Sequence, residues 1–343
     1  MTATEWVASM SPWPEEFGLE RMRALVDMLG NPERAFRSVH VVGTNGKSTA
    51  ARTIAALLRT DGLETGVYTS PHVSGWHERL DTDPVAFERA VARIRSAAEA
   101  VGATQFEALT AAALADFAER GVDAAVVEAG LGGRLDATNV VDAPVVLLTN
   151  VGLEHTDVLG DTREQIAREK LAVAHAATTV VLPDDEWRVL VPGVEIRIGG
   201  ARQAAEAFAE HPIRADVEVS LPGRLERRGP DEVRDGAHTP EAVAWLLERL
   251  EPRAWTIVAS ILRDKDADGM LARLNAAGPT LIATRSSNPR ALDAGDLARR
   301  AEPYFEYVEA VAEPAQALER ARSLGPVLVT GSLYLLADLH ARE

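Results

Sequence analysis

The chain contains no cysteine, and that absence removes several kinds of chemistry at once. A disulfide framework, a thiolate metal site and a cysteine nucleophile are all excluded. Lysine is scarce as well, because only Lys47, Lys170 and Lys265 occur among the 36 basic residues. A lysine that survives in such a chain is a candidate for a task that arginine cannot perform.

Long apolar runs and a positive net charge are also missing. No segment approaches the roughly 18 apolar residues of a membrane helix. Residues 1–10 lack the basic flank and apolar stretch of a signal peptide. The net charge of −16 argues against a nucleic-acid or anionic-membrane partner. We expect a cytoplasmic protein, and we expect it to be a monomer.

The chain alternates strand-like and helix-like segments, which predicts doubly wound α/β architecture. The predicted strands are 38–42, 65–69, 123–128, 144–149, 178–182, 255–259, 280–284 and 327–330. The predicted helices are 48–59, 84–101, 106–120, 164–177 and 240–250. The pattern weakens around 191–219, and Leu221-Pro222-Gly223 is typical of a hinge. We predict a P-loop-type ATPase domain over 1–220, trimmed near 183–220, and a smaller Rossmann-like α/β domain over 221–343.

A glycine-bearing turn joins the first predicted strand to the helix that follows. Such a turn lets backbone N–H groups wrap phosphate oxygens, and the helix N-terminus adds positive potential. Lys47 could reach the β- and γ-phosphates, and the hydroxyl of Ser48 or Thr49 could ligate Mg²⁺. The full Walker pattern has glycine where this chain has Val41, so a plain turn without a ligand is the alternative. The residues predicted to bind ATP here are Gly43, Thr44, Asn45, Gly46, Lys47, Ser48 and Thr49.

Further motifs follow in order through nearly the whole chain. They include Tyr68-Thr-Ser-Pro-His72, Glu128-Ala-Gly-Leu-Gly-Gly-Arg-Leu-Asp-Ala-Thr-Asn139, Gly152-Leu-Glu-His155, Ile166-Ala-Arg-Glu-Lys170, Leu221-Pro-Gly-Arg224, Asp235-Gly-Ala-His238 and Arg263-Asp-Lys265-Asp266. Together with the phosphate loop, these motifs resemble the folylpolyglutamate synthase/dihydrofolate synthase family of the Mur ligase superfamily. The resemblance implies an ATP-dependent ligase that adds L-glutamate to a folate-type carboxylate, either dihydropteroate or tetrahydrofolate.

The implied chemistry converts the carboxylate into an acyl phosphate, which an amine then attacks. Two polyanions must lie side by side, so the site needs metal ions and cations. The resemblance implies two Mg²⁺ sites, and a monovalent cation is considered as a further cofactor. The implied catalytic residues are Lys47, Glu128, His155 and Lys170. The implied metal ligands are Ser48, Thr49, Glu128, His155 and Lys170.

Glu128 and Lys170 carry the most specific expectations. Glu128 ends an apolar strand at the edge where doubly wound sheets bind ligands, although a glutamate bonded only to the following loop is the alternative. Lys170 is implied to carry a carbamate formed from CO₂, which turns a cation into an oxygen ligand. That reaction needs a neutral amine and therefore a depressed pKa. The alternative is an unmodified lysine on a solvated helix face.

The resemblance also implies contacts to the three substrates. Those implied for ATP are Arg224, Asp235 and His238, and those for glutamate are Lys265 and Ser332. Those implied for the folate are Ser70, Pro71, His72, Arg79, Thr104, Phe106 and Asp136. A pterin needs one flat apolar face and a carboxylate for its amino-pyrimidine edge, which Phe106 and Asp136 could supply. A core phenylalanine and a loop serine are the alternatives at positions 106 and 332.

Three departures from the family pattern bear on the substrate. The phosphate loop continues with Ser48-Thr49 where the family usually has Gly-Ser, Thr239 replaces an asparagine, and the segment 182–221 is shorter than usual. Two alternatives therefore stand beside the folate ligase. One is a Mur-type ligase acting on a different carboxylate, and the other is a degenerate nucleotide-binding protein.

Overall fold

The structure is a computed structural model that describes residues 1–342 of the chain. By its internal contacts the chain divides into two compact units. The first comprises Met1–Pro71 and Trp76–Val219, and the second comprises His72–Gly75 together with the chain from Ser220 onward. Each unit contains its own six-stranded sheet.

The sheet of the first unit is parallel throughout. Its strands are β1 (Arg37–Val42), β2 (Thr65–Tyr68), β3 (Ala124–Glu128), β4 (Val145–Leu148), β5 (Thr179–Leu182) and β6 (Glu195–Ile198). They lie in the order β2-β3-β1-β4-β5-β6. Strands β2, β3 and β4 are buried along their whole length. Burial on both faces explains why the strands appear in the sequence as nearly continuous apolar runs.

Helices cover this sheet and end at recognisable caps. They are α1 (Ala3–Ser9), α2 (Glu20–Met28), α3 (Lys47–Thr60), α4 (Pro84–Val101), α5 (Gln105–Arg120), α6 (Thr156–Leu159), α7 (Arg163–Leu171) and α8 (Ala201–Ala209). Asp83 caps the start of α4, and Gly102 ends it in the left-handed conformation. Gly121 ends α5 in the same way.

The position of β1 determines where a ligand can bind. It pairs with β3 on one side and with β4 on the other, so Val41 lies opposite both Glu128 and Leu147. The chain leaves β1 toward one half of the sheet and later crosses to the other half. The loop after β1 therefore opens at a topological switch point, where sheets of this kind bind ligands.

The second unit has a mixed sheet. Its strands are β7 (Glu226–Arg227), β8 (Glu232–Arg234), β9 (Thr256–Ala259), β10 (Thr280–Ala283), β11 (Tyr307–Ala310) and β12 (Val327–Thr330). Their order is β11-β10-β9-β12-β8-β7, and only the β7–β8 pair is antiparallel. The helices are α9 (Pro240–Leu247), α10 (Ala267–Leu274), α11 (Ala294–Ala301), α12 (Pro314–Arg322) and α13 (Leu333–His340).

The predicted fold class is confirmed, with corrections to individual elements. The helix predicted over 164–177 ends at Leu171, because the chain turns through the Ala174 N–H to Leu171 carbonyl bond before it enters β5. The helix predicted over 240–250 ends at Leu247. The predicted strands did not include β6, β7, β8 and β11, and helix α8 was missed as well. Strands β6 and β11 are largely accessible edge strands, so they lack the apolar runs that identified the buried ones. Strands β7 and β8 are only two and three residues long and are rich in charged residues.

Candidate active site

The phosphate loop lies between β1 and α3, and two glycines allow its shape. Gly43 has φ +146°, and a Cβ atom there would collide with Thr149 Oγ1. Gly46 has φ +78° and stands directly before the first residue of α3. The Thr44 amide donates to the Asn150 carbonyl over 3.0 Å, so the loop is tied to the segment after β4. The backbone is thus fixed in a form that only glycine permits at position 43.

Lys47 lies folded over this loop. Its Nζ donates to the carbonyl oxygens of Gly43 at 2.9 Å and Thr44 at 3.2 Å. A lysine ammonium can exchange such carbonyl partners for phosphate oxygens, which are stronger acceptors because they are charged. The arrangement therefore places the Lys47 ammonium beside a loop that is suited to binding a polyanion.

Glu128 and Ser48 meet at the end of β3. The Ser48 hydroxyl donates to Glu128 Oε1 over 3.0 Å, and the Ser70 amide donates to Oε2 over 3.0 Å. Glu128 is buried, whereas Thr49 on the next position of α3 is exposed. Carboxylate and hydroxyl oxygens are ligands that Mg²⁺ prefers, so this donor set fits the ion. Ser70, which the motifs indicated for the folate, stands beside this pair.

Lys170 is buried on α7, which excludes a solvated helix lysine. Its Nζ donates to Glu154 Oε1 over 2.6 Å and to the Gly43 carbonyl over 2.9 Å. Desolvation, together with the nearby charge of Lys47, lowers the pKa of Lys170 to about 8, although Glu154 opposes that shift. The desolvation of Glu154 would raise the pKa of that carboxyl, but the two lysines outweigh it and the pKa is lowered.

Glu154 is the site residue that sequence reasoning missed. The available signal was its place in the Gly152-Leu-Glu-His155 motif, next to the histidine that was chosen. His155 itself is exposed and has φ +44° at the start of α6. Within residues 1–342, no group of three or more acidic or histidine side chains is arranged to hold a metal. An Mg²⁺ ion here would therefore need water or substrate oxygens to complete its shell, as it commonly does.

Phe106 forms one apolar wall near the end of β3. Its ring is half-buried, and its centroid lies 5.9 Å from that of Tyr68. A Cβ atom on Gly130 would stand 2.5 Å from Phe106 Cζ, so the ring rests directly on the backbone of that glycine. Thr104 is engaged elsewhere, because it forms a capping box with Glu107 at the start of α5.

Asp136 anchors the loop that follows β3. Its Oδ2 accepts from the Leu131 amide at 2.7 Å, and its Oδ1 accepts from both the amide and the hydroxyl of Thr138. Burial raises the pKa of this carboxyl, against the effect of these hydrogen bonds. Arg79 lies close to this region, because its carbonyl accepts from the Thr69 amide at 2.9 Å, and its guanidinium stands 5.1 Å from the Trp76 ring centroid.

In the second unit, the residues predicted for the nucleotide share one neighbourhood. Asp235 follows β8 and accepts from the amides of Leu225 at 2.7 Å and Ala237 at 2.8 Å. Burial raises the pKa of Asp235, although these bonds and the charge of Arg224 oppose the shift. His238 Nδ1 donates to the Gly236 carbonyl over 2.8 Å.

The residues predicted for glutamate follow neighbouring strands. Lys265 comes after β9 and Ser332 after β12, and these two strands pair directly. Lys265 is partly exposed, and its Nζ lies 4.0 Å from Asp264. Ser332 is buried and caps α13 by accepting from the Tyr334 amide at 3.2 Å. Thr239 caps α9 in the same manner. Asparagine is also a good N-cap, so the presence of threonine where the family usually has asparagine preserves the helix cap.

Two family models match consecutive parts of the chain. The model described as Mur ligase middle domain matches residues 41–195, and that described as Mur ligase, glutamate ligase domain matches residues 223–333. The chain is thus a Mur-type ligase. It is 32% identical to the dihydrofolate synthase/folylpolyglutamate synthase of Mycobacterium tuberculosis, over 85% of this chain and 80% of that protein. It is also 32% identical to the folylpolyglutamate synthase of Lacticaseibacillus casei, over 98% and 97%. The chain belongs to the dihydrofolate synthase/folylpolyglutamate synthase family, whose members are ATP-dependent ligases.

Solved structures are similar over the same extent. The M. tuberculosis folylpolyglutamate synthase complexed with ADP has a TM-score of 0.89 at 28% identity, covering 98% of this chain and 96% of that one. Escherichia coli FolC in complex with DHPP and ADP has a TM-score of 0.85 at 28% identity, covering 100% and 97%. No helix within residues 1–342 is both long and apolar enough to cross a membrane.

Proposed function

We propose that this ligase adds L-glutamate to dihydropteroate, to tetrahydrofolate or to both. The observation that carries the proposal is the pairing of Ser48 and Glu128 at 3.0 Å beside the phosphate loop, at the switch point of a parallel sheet. Relatives named for both activities support it, as does FolC with DHPP and ADP. A related structure of a bifunctional folylpolyglutamate synthase/dihydrofolate synthase holds Mn, AMPPNP and L-glutamate.

The reaction is a pair of balanced transfers. The γ-phosphoryl group of ATP moves to a carboxylate oxygen of the acceptor and leaves ADP behind. The amine of glutamate then attacks the acyl carbon, phosphate departs with the electrons of the C–O bond, and the amine loses a proton. In this scheme the loop amides and Lys47 hold the phosphates, so Lys47 gives up the carbonyls of Gly43 and Thr44. Bound Mg²⁺ would neutralise the charge that collects on the phosphate oxygens.

We assign two Mg²⁺ sites within the first unit. Ser48, Thr49 and Glu128 provide the first, while His155 and a carbamylated Lys170 provide the second. Carbamylation would replace the ion pair between Lys170 and Glu154 by two neighbouring anions. Such a pair is unstable without a bound cation, so the modification and the second ion would stabilise each other. A monovalent cation is a further candidate for this environment.

The remaining roles concern substrates. Phe106 offers the flat face for a pterin, and the other acceptor residues are Ser70, Pro71, His72, Arg79, Thr104 and Asp136. Arg224, Asp235 and His238 contact the nucleotide, and Lys265 with Ser332 binds glutamate. We further propose that the protein is a cytoplasmic monomer.

The decisive assay compares acceptors directly. Purified protein is incubated with Mg-ATP and labelled glutamate, with dihydropteroate, tetrahydrofolate or neither, and both phosphate release and product mass are measured. We expect glutamylated product with at least one acceptor. Glu128→Gln should lose it, while Glu119→Gln on the exposed face of α5 should not. If the wild type forms no product with either acceptor, the protein is instead assigned as a Mur-type ligase that acts on another carboxylate.

A further inference from the structure

Three buried polar side chains form a line behind the loop that follows β3. His40 on β1, Thr138 and Asp136 are each 5% exposed or less. His40 Nε2 lies 2.8 Å from Thr138 Oγ1, and Thr138 Oγ1 in turn contacts Asp136 Oδ1. Neither His40 nor Thr138 has a part in the chemistry proposed above. Buried polar groups of this kind are costly unless every one of them is satisfied.

The directions of these hydrogen bonds follow from the donors available. An ionised Asp136 can only accept, so the single hydroxyl proton of Thr138 goes to the carboxylate. Thr138 Oγ1 must then accept from His40, which places a proton on Nε2. Burial lowers the pKa of His40 to about 4, so the ring is neutral near pH 7, and the hydrogen bond to Thr138 then places its one proton on Nε2.

The carboxylate at the end of this line controls the loop. Asp136 accepts from the backbone amides of Gly130 and Leu131 on one side and from Thr138 on the other. Gly130 is the residue on which the Phe106 ring rests. A rotation of the Asp136 carboxylate would therefore release the backbone beneath the aromatic wall. The opposite end of the line is fixed, because His40 belongs to β1 and pairs with Val127 and Val146 of the neighbouring strands.

We infer that His40 and Thr138 are positioning residues for the acceptor site, acting through Asp136 to hold the Gly130–Leu131 backbone under Phe106. The inference rests on the proposed function, since it takes Phe106 to contact the acceptor. It predicts that loss of the Thr138 hydroxyl weakens acceptor use selectively, while the phosphate loop, which is held by its own glycines and by Asn150, keeps its affinity for ATP.

The test uses Thr138→Val, which removes the hydroxyl and keeps the shape. We expect KM for the pteroate acceptor to rise about tenfold, which corresponds to about 1.4 kcal/mol, while KM for ATP stays within about twofold. Thr138→Ser restores the hydroxyl and should restore the acceptor KM. The matched control is Thr178→Val, another buried threonine, whose hydroxyl donates to the Ala143 carbonyl. That variant should lose stability but alter neither KM.

A second pair of variants changes His40, which lies at the other end of the hydrogen-bonded line. The amide of His40→Gln can still donate to Thr138, whereas His40→Met cannot, so only the methionine variant should show the raised acceptor KM. This pair decides the question if Thr138→Val does not fold. Histidine ¹⁵N spectra of the wild type, assigned through His40→Gln, should show a neutral ring protonated on Nε2.

The outcomes separate this inference from the proposed function. If the wild type uses neither acceptor, the proposed function fails, and the positioning role fails with it, while the ¹⁵N spectrum still reports the hydrogen bonds. If the wild type is active but Thr138→Val and His40→Met change only the melting temperature, or raise both KM values equally, the positioning role is refuted and the function stands.

Discussion

The carboxyl edges of the two sheets bury different kinds of polar side chain. At the edge of the first sheet lie ionisable groups, with Glu128 2% exposed and Lys170 1% exposed. At the edge of the second sheet the buried side chains are mostly hydroxyls, namely Ser260, Thr284, Ser286, Thr330 and Ser332. Its lysine, Lys265, has a side chain that is 21% exposed. The second edge has a buried carboxyl as well, because Asp235 follows β8 and is 5% exposed. The first edge thus buries both a carboxylate and an ammonium group, whereas the second edge surrounds a buried carboxyl with hydroxyls.

Among the variants that test this comparison, Lys47→Ala should have the largest effect on product formation. The variant removes a cation from the polyanion site, so product formation should fall by about a thousandfold or more, as for lost transition-state donors elsewhere. The fold should persist, because Lys47 bonds only to carbonyls of its own loop. Product mass and thermal unfolding are measured together. Near wild-type turnover in a folded variant would contradict the phosphate-loop assignment.

Lys170→Ala tests the buried charge itself. We expect almost complete loss of activity and partial recovery with acetate, which could occupy the space of a carbamate. Lys265→Ala is the matched lysine of the second edge, and acetate should not help it. Incorporation of ¹³CO₂, followed by NMR under native conditions, would show the carbamate directly. Full activity of Lys170→Ala would rule out the ligand role, and loss without carbamate signal or acetate rescue would leave Lys170 as an ion-pair partner of Glu154.

Phe106→Ala asks whether the apolar wall of the first unit binds the acceptor. Stacking is lost in both ground and transition states, so KM for the acceptor should rise by about tenfold while kcat changes little. Phe117→Leu is the control, since this ring lies in the core on the same helix α5. It should lower the melting temperature and leave the acceptor KM alone. Equal effects of both variants on KM would make Phe106 a core residue.

Because folding lowers the pKa of His40, we expect the stability of the protein to depend on pH. The pKa of His40 falls from 6.5 to about 4 on folding, so the unfolded chain binds the proton first as the medium is acidified. Stability is therefore full above about pH 6.5 and declines toward pH 4, by about 3 kcal/mol at most. His40→Gln lacks this contribution. Urea unfolding of both proteins across that range should show a difference that narrows as the pH falls, and a constant difference would mean that His40 titrates normally.

The smallest effect should come from Ser332→Ala in the second unit. Loss of the α13 cap should cost about 1 kcal/mol of stability. If Ser332 also binds glutamate, KM for glutamate should rise severalfold while KM for ATP does not. Thr239→Ala, which removes the cap of α9, supplies the comparison. If the two variants behave alike in every assay, Ser332 is a cap only.

The sequence predicted the parts of the molecule that depend on local patterns. Buried strands such as β12 and the well-capped helix α4 agree with the structure to the residue. The edge strand β6 escaped, because half-exposed residues leave no apolar run. In the site, Lys170 was identified from its motif. Its partner Glu154 was passed over although it lies in the Gly152-Leu-Glu-His155 motif, because spacing alone does not show that a loop and a helix form an ion pair. His40 and Thr138 were missed for the same reason, being 98 positions apart.

The strand order of the first sheet has a consequence for how the chain acquires its structure. Strand β1 is an early strand of the chain, yet both of its partners, β3 and β4, come more than eighty positions later. Helix α3, which follows at once, can cover the face of β1 that carries Val39 and Val41, but Val42 on the other face packs only against later residues. Both strand edges of β1 also stay unpaired until the later segment has been made. During synthesis this apolar surface remains exposed, so the unit should fold slowly and be prone to aggregate while incomplete.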